Sequence, residues 1–415
     1  MSSPEPLQAL QARWVIPVDA PPIAGGVVMI RGSQIVAVGR EAVGCTPLDL
    51  GDVAIAPGLV NAHTHLEFSD LVAPLGAAGM PLPDWIRQVV ARRRAAAPGT
   101  PDCVLQGLQE SLAAGVTAVG EIATTDWRAE VVNRADAWPW VRMFYELLGA
   151  RRDRVESVAA DGQAFLAAPA APSIAPGLSP HASYTVHPRL LAHAVTLACQ
   201  YGLPLAMHLA EAPQELELLA TGGGPFADLL RDFGAWETGS APRLPRIADY
   251  LRQLARAPRS LVIHGNYLSD DEIELLAGHA QRMSLVYCPR THHFFGHAPY
   301  PLTRMLRAGV AMALGTDSRA SNPDLDLLAE MRFVREHHPR IAAEKVLALG
   351  TIDGARALGL ASQCGSLTPG KRANLAILQL PVPCPPDAYE AVLRPPARVV
   401  QTWLDGRPVA RPRSV

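Results

Sequence analysis

Thirteen histidines are spread through the 415 residues, and several stand where an imidazole can do chemistry. In Asn61-Ala62-His63-Thr64-His65 an apolar run ends in His-x-His. On an extended strand, residues i and i+2 point to the same side, so His63 and His65 can aim at one point and one cation could take both. Two hydrogen-bonded loop histidines would satisfy so short a motif equally well. Three more apolar runs close in the same way, in Met207-His208-Leu209-Ala210-Glu211, Val262-Ile263-His264 and Leu314-Gly315-Thr316-Asp317. Any one alone reads as structural. Four run ends that each offer imidazole or carboxylate point together to a divalent-metal centre. The chemistry of such a centre is the activation of water, whose pKa on a metal falls from about 15.7 to about 7.

Something must bring those run ends to one place. Short apolar runs recur at 59–62, 116–122, 142–147, 177–180, 203–207, 261–263, 284–288 and 310–315, with helical patterns between them, as at 84–94, 188–201 and 270–280. Strands alternating with helices imply parallel pairing through right-handed crossovers, and eight such units are what a closed (β/α)8 TIM-like barrel needs. In that architecture the C-terminal ends of all eight strands converge on one face. Both chain ends read differently. Val27-Val28-Met29-Ile30 and Ile35-Val36-Ala37-Val38 flank the turn Arg31-Gly32-Ser33 as a hairpin, and similar patterns return at 375–378 and 399–403. The expected fold is α/β: a catalytic barrel over 57–365, with a small β-sandwich domain built from 1–56 and 366–415.

Composition narrows the function. The 37 basic and 39 acidic residues leave a formal charge of −2, so no global field exists to hold nucleic acid or an anionic membrane. A 49% hydrophobic and 18% charged chain is an ordinary globular one. The six cysteines, at 45, 103, 199, 288, 364 and 384, are dispersed with no C-x-x-C, which fits reduced thiols. No basic-then-apolar leader opens the chain and no apolar run reaches about 18 residues, so a cytoplasmic enzyme acting on a small molecule is expected.

The order H-x-H, His, His, Asp on strands one, five, six and eight resembles the amidohydrolase superfamily. The flanking Ala56-Pro57-Gly58-Leu59-Val60 and the closing Gly365-Ser366-Leu367-Thr368-Pro369-Gly370-Lys371-Arg372-Ala373-Asn374 resemble it too, except that Asn374 stands where the closing motif usually has Asp. Dinuclear members bridge two ions through a carboxylated lysine after strand four. Here the fourth run ends Ser179-Pro180-His181, and Lys345 and Lys371 are the only lysines. The resemblance therefore implies a mononuclear site, with His63, His65, His208 and Asp317 around one divalent ion, Zn²⁺ or Fe²⁺. His264 lies beside the water, and Asp317 doubles as the group that takes the water's proton.

His208-x-x-Glu211 separates reaction classes, because family members that deaminate heterocycles have this Glu as proton shuttle. The segments around His63, Trp85, His181, Gly222, Cys288 and Asp317 are similar to aminofutalosine deaminases of the alternative menaquinone pathway, relatives of the methylthioadenosine/S-adenosylhomocysteine deaminases. That likeness implies hydrolytic deamination of an adenine-type nucleoside such as 6-amino-6-deoxyfutalosine, with Glu211, His264 and Asp317 catalytic and His181, Trp85 and Arg290 touching substrate. It adds a homodimer as an option, although no self-complementary surface is visible in the residues. Where the methylthioadenosine group carries a carboxylate that grips ribose, this chain has Arg92-Arg93-Arg94. These either meet a substrate carboxylate or form a solvated basic helix end. His292, His293 and His297, beside Phe294 and Phe295, read as a lid or specificity loop rather than a second ion site, and Glu121, Glu146 and Trp127 close strands two and three with roles open. Two competing readings stand: hydrolysis of another C–N or C–Cl bond, as in s-triazine hydrolases, and a non-catalytic assembly protein on the same barrel.

Overall fold

A computed structural model of the chain describes residues 5–95, 100–132, 134, 137–169, 171, 173–236 and 243–410. Eight strands pair in parallel, each with the next in sequence: β1 (Leu59–Thr64), β2 (Val116–Ala123), β3 (Trp140–Leu147), β4 (Ile174–Pro180), β5 (Pro204–Leu209), β6 (Arg259–His264), β7 (Met283–Tyr287) and β8 (Met312–Leu314). Every one of the eight apolar runs overlaps one of these strands. The helices expected at 84–94, 188–201 and 270–280 are Leu82–Ala95, Pro188–Tyr201 and Asp270–Gly278.

Strands covered on both faces must be apolar on both faces, which is why they read as runs rather than alternations. The inward set includes Val60, Ala118, Ile122, Phe144, Ala206, Leu261, Ile263, Val286 and Ala313. Their neighbours, among them Leu59, Val119, Met143, Leu178, Met207, Val262 and Leu285, join the larger core under the surrounding helices. The helix Ile352–Leu358 contributes Ala355 and Leu358 to the inward cluster and closes the end of the barrel away from the histidines. Arg142 supports it there by donating to the Leu358 carbonyl.

Barrel closure depends on the seam between β8 and β1. Asn61 holds Thr316 from two sides: its amide donates to Thr316 Oγ1 at 2.7 Å and its carbonyl accepts the Thr316 N–H at 3.1 Å. The Asp317 N–H reaches the His63 carbonyl at 3.1 Å. Gly315 permits this approach, since a Cβ there would lie 2.9 Å from both the carbonyl oxygen and the Cβ of His63.

The terminal residues form two further sheets. One joins Gln34–Gly39, Val27–Arg31, Leu7–Gln11 and Leu48–Asp49; the other runs from Arg407–Pro408 through Arg398–Leu404, Leu375–Gln379, Val53–Pro57 and Trp14–Val15 to Ile23–Ala24. The expected hairpin is present, with Val28 opposite Val38. Leu10, Val28, Ile30 and Ile35 of the first sheet share one apolar cluster with Val15, Ile55, Leu375, Ile377 and Trp403 of the second, so the two chain ends are locked together.

The seam yields a test. Gly315→Ala places a methyl against backbone atoms that cannot yield, and such overpacking costs about 1–3 kcal/mol. Urea unfolding is expected to show that loss at unchanged m-value, together with weaker metal retention.

Candidate active site

Five side chains from four strand ends meet above the barrel. The His63 and His65 rings are 4.9 Å apart between centroids, His63 and His208 are 5.0 Å apart, and His208 and His264 are 5.5 Å apart. Asp317 Oδ1 stands 3.6 Å from His63 Nε2 and 3.8 Å from His65 Nε2. Two donor triads share His63, one with His208 and His264 and one with His65 and Asp317, and within each triad the ligand atoms lie within 4.8 Å of one another. Ligand atoms bound at 2.0–2.1 Å around a tetrahedral ion lie about 3.4 Å apart, so these spacings are those of a site that closes on a cation.

Local backbone distortions aim the side chains. β1 shifts register against β2 between Asn61 and Thr64, breaking the plain alternation just where the two histidines turn inward. His264 follows the inward Ile263, and its φ of 68° swings the ring to the same side; Asp317 has φ 56° and Ala210, ahead of Glu211, φ 51°. Left-handed conformations are costly outside glycine and persist where surroundings over-determine them. Here the surroundings are specific: Thr64 Oγ1 donates to the Asp317 carbonyl at 2.9 Å, and the Tyr300 hydroxyl donates to that of His264 at 2.9 Å.

Further partners set the donor atoms. His208 Nδ1–H donates to the His181 carbonyl at 3.0 Å, which leaves Nε2 as the free electron pair. Asp317 accepts from the Ser318 N–H at 2.8 Å on one oxygen and from Ser321 Oγ at 3.2 Å on the other. By contrast, both nitrogens of His63 and Nδ1 of His65 are buried with no hydrogen-bond partner. Buried polar atoms are rarely left so; an imidazole gives one nitrogen to an ion, and the orphaned His63 Nε2, on the side of Asp317, fits a metal as its missing partner. Burial holds His65, His208 and His264 well below the usual imidazole range, so they are in the neutral form that ligates. Burial works against the Asp317 carboxylate, yet the surrounding imidazoles, His63 first and then His264 and His65, carry it below the usual range.

Glu211 leans over this group with Oε1 3.5 Å from His264 Nε2. Burial, reinforced by Asp317 and Glu215, pushes its carboxyl well above the ordinary range, toward the protonated form a proton donor requires. The carboxylate inside the following helix is Glu215, which sequence reasoning missed. Fully buried, it accepts the Glu211 N–H at 2.9 Å and the Ser183 hydroxyl, tying the loop after β4 to Glu211. Its only signal in the sequence is an acid four residues after Glu211. Asn266 donates to the Glu211 carbonyl at 2.9 Å, and His292 Nδ1 lies 3.1 Å from Asn266 Oδ1.

The substrate-facing candidates separate. His181 lies 5.1 Å from the His208 ring, with Nδ1 on Thr185 Oγ1 at 2.6 Å and burial lowering its pKa to about 3. Trp85 donates to the Ala320 carbonyl at 3.2 Å and packs edge-on against Phe295, joining the helix after β1 to the loops after β7 and β8. Arg290 is committed elsewhere: its guanidinium holds Glu330 and Asp324, each at 2.6 Å. Glu330 in turn takes the Asn322 amide at 2.6 Å, so the place geometry gives Arg290 is behind the Asp317 loop. Arg92 pairs with Asp70 and Arg93 with Glu67, so both are engaged within the protein, while Arg94 stays exposed over Phe233. His292 is pinned within the helix Pro289–Phe294, His297 bonds Tyr267, and neither belongs to a donor cluster among the described residues. Trp127 belongs to the outer core.

Comparison with known proteins fits this geometry. The sequence profile of the Amidohydrolase family matches residues 54–409. The chain is 31% identical over 359 residues to the aminodeoxyfutalosine deaminase of Deinococcus radiodurans, covering 81% of each chain. It is 30% identical over 406 residues to the 5-methylthioadenosine/S-adenosylhomocysteine deaminase of Nitratidesulfovibrio vulgaris, covering 90% of this chain and 84% of that one. A solved adenosine deaminase from Xanthomonas campestris with bound zinc superposes with a TM-score of 0.77 at 26% identity, covering 98% and 93%.

Burial raises the Glu215 carboxyl from 4.5 to about 7. Between those values the folded protein keeps a proton that the unfolded chain releases, so this group's contribution to stability falls as pH rises through the window, by up to about 3 kcal/mol. Glu215→Gln keeps an acceptor for the Glu211 N–H and does not titrate. Urea midpoints from pH 4.5 to 7 are expected to decline less steeply in the variant than in the parent.

Proposed function

Because this chain belongs to the amidohydrolase family, we propose that it is a metal-dependent hydrolytic deaminase of an adenine-type nucleoside. One observation carries the reading: the buried Glu211 stands 3.5 Å from His264 at the edge of a cluster of metal-ligand donors in which both His63 nitrogens lack a partner. Cleavage of a C–N bond at an amino-substituted ring carbon needs a water nucleophile and protons for the ring nitrogen and the departing amine. Both requirements lie within one span of side chains.

His63, His65, His208 and Asp317 would hold one Zn²⁺ or Fe²⁺; such an ion, when bound, lowers the pKa of water toward neutrality. Glu211 delivers its proton to the ring nitrogen, is recharged from the attacking water, and delivers again to the amine. Asp317, with one oxygen toward the imidazoles, takes the second proton of the water. His264 steadies the oxygen that becomes the product carbonyl and keeps Glu211 turned inward. His181 and Trp85 contact the nucleoside, and Arg290 steadies the loop that bears Asp317. Among adenine nucleosides, 6-amino-6-deoxyfutalosine comes first, since the Deinococcus relative is named for it, which would place the enzyme in menaquinone biosynthesis. A cytoplasmic location is in keeping with six free cysteines and with the absence of any described helix long and apolar enough to cross a membrane.

Metal-loaded protein offered a panel of adenosine analogues is expected to release ammonia; silence across the panel at full metal occupancy refutes the reading. Glu211→Gln should lower kcat by about 10²–10⁴-fold with metal content intact. Little change would favour instead a hydrolysis that needs no such shuttle, such as loss of halide.

Dialysis against a chelator is expected to abolish turnover and lower the unfolding midpoint, with both restored by Zn²⁺ or Fe²⁺. A midpoint indifferent to metal would mean that the cluster does not bind it.

A further inference from the structure

Three carboxylates lie close together on the β2–β3 side of the site, and two of them are spoken for. Glu67 pairs with Arg93 and takes the Thr124 hydroxyl at 3.2 Å; Glu121 accepts the Leu66 N–H at 2.9 Å. Glu146, at the end of β3, is different. Its side chain is 1% exposed, and neither oxygen has a hydrogen-bond partner. His181 Nε2 lies 3.8 Å from Glu146 Oε1, too far for a hydrogen bond. The Arg93 guanidinium is close enough to feel the charge of Glu146, and Arg93 Nε is also buried without a partner. An orphaned buried acceptor pair costs free energy that folding alone would not retain, so it calls for a ligand.

The surroundings say which kind. An anion would meet Glu146 itself, and a cation would meet Arg93. A second metal ion would find no other free ligand, since Glu67 and Glu121 are engaged and no donor cluster among the described residues includes Glu146. What remains is a neutral group with two adjacent O–H donors that can also accept from Arg93 or His181. His181 stands between Glu146 and the metal-ligand His208. A purine with its amino carbon at the histidine cluster and its ring turned toward His181 has its sugar on this side.

Resting on the nucleoside-deaminase reading above, we infer that Glu146 binds the vicinal hydroxyls of the substrate's ribose, one on each carboxylate oxygen, with His181 beside it. Glu146 thus selects ribonucleosides and takes no part in proton transfer.

The test compares kcat/KM for adenosine and 2′,3′-dideoxyadenosine in metal-loaded parent and Glu146→Gln protein. The parent is expected to prefer adenosine by on the order of 100-fold or more, because an unpaired buried carboxylate penalises the analogue. In Glu146→Gln the preference should shrink at least about tenfold, mostly through KM for adenosine, with metal content unchanged. A preference equal in parent and variant overturns the inference while leaving deamination intact. No turnover of any nucleoside by loaded parent protein overturns the deaminase reading and this one with it. Should Glu146→Gln not fold, Glu146→Asp, which keeps the charge and shortens the reach, serves in its place, with the same loss of preference expected and its absence decisive against.

Discussion

Bringing His63, His65, His208, His264 and Asp317 out of water and into one space is electrostatically unfavourable without a cation at the centre. Burial lowers the proton affinity of His65, His208 and His264, and the neighbouring imidazoles add to this. A lone carboxylate in their midst is held ionised mainly by His63. Remove water and offer no counterpart, and several donor atoms are left with nothing to bond. A divalent ion turns that liability into coordination energy, and the remaining features of the upper barrel face can be understood as keeping the five groups from relaxing apart before it arrives.

That restraint is layered. Thr64 and Tyr300 fix the backbone where φ is positive, Ser318 and Ser321 fix the Asp317 oxygens, and the His181 carbonyl fixes the His208 tautomer. Behind them stand Arg290, Glu330 and Asn322 under one loop and Glu215 under another. Outer partners of this kind orient ligands and are felt in affinity even though they never touch the ion. The buried acids divide accordingly: Glu215 and Glu330 act on the backbone of neighbouring loops, Glu211 faces the reacting space, and Glu146 has no internal task.

The barrel and its inward-facing histidines were legible because they rest on local signals. An apolar run of five or six residues is visible whatever lies across from it, and His-x-His is a strand property. Less legible was anything settled by distant pairing. Arg290 reads as a substrate-facing cation until Glu330, forty positions away, is found to hold it. Arg93 reads as a helix-end charge until Glu67 is found beneath it. His264 sits at a parity that alternation alone would turn outward, and only its backbone twist brings it to the centre. The vacant hydrogen-bonding capacity of Glu146 is a property of what does not surround it, which no residue pattern can announce.

Gly315 packed against His63 has a consequence for how the site comes into being. The carboxylate ligand and the first two imidazoles belong to opposite ends of the barrel's chain, joined only where its last strand reaches its first. During synthesis a ribosome must therefore deliver some 250 further residues after His63 before Asp317 exists to complete the set. Nascent chains stopped short of that point can gather imidazoles but not the anion that balances the charge. Completion of the ligand set is thereby deferred to the closing event of barrel assembly, when the circle of strands is already whole.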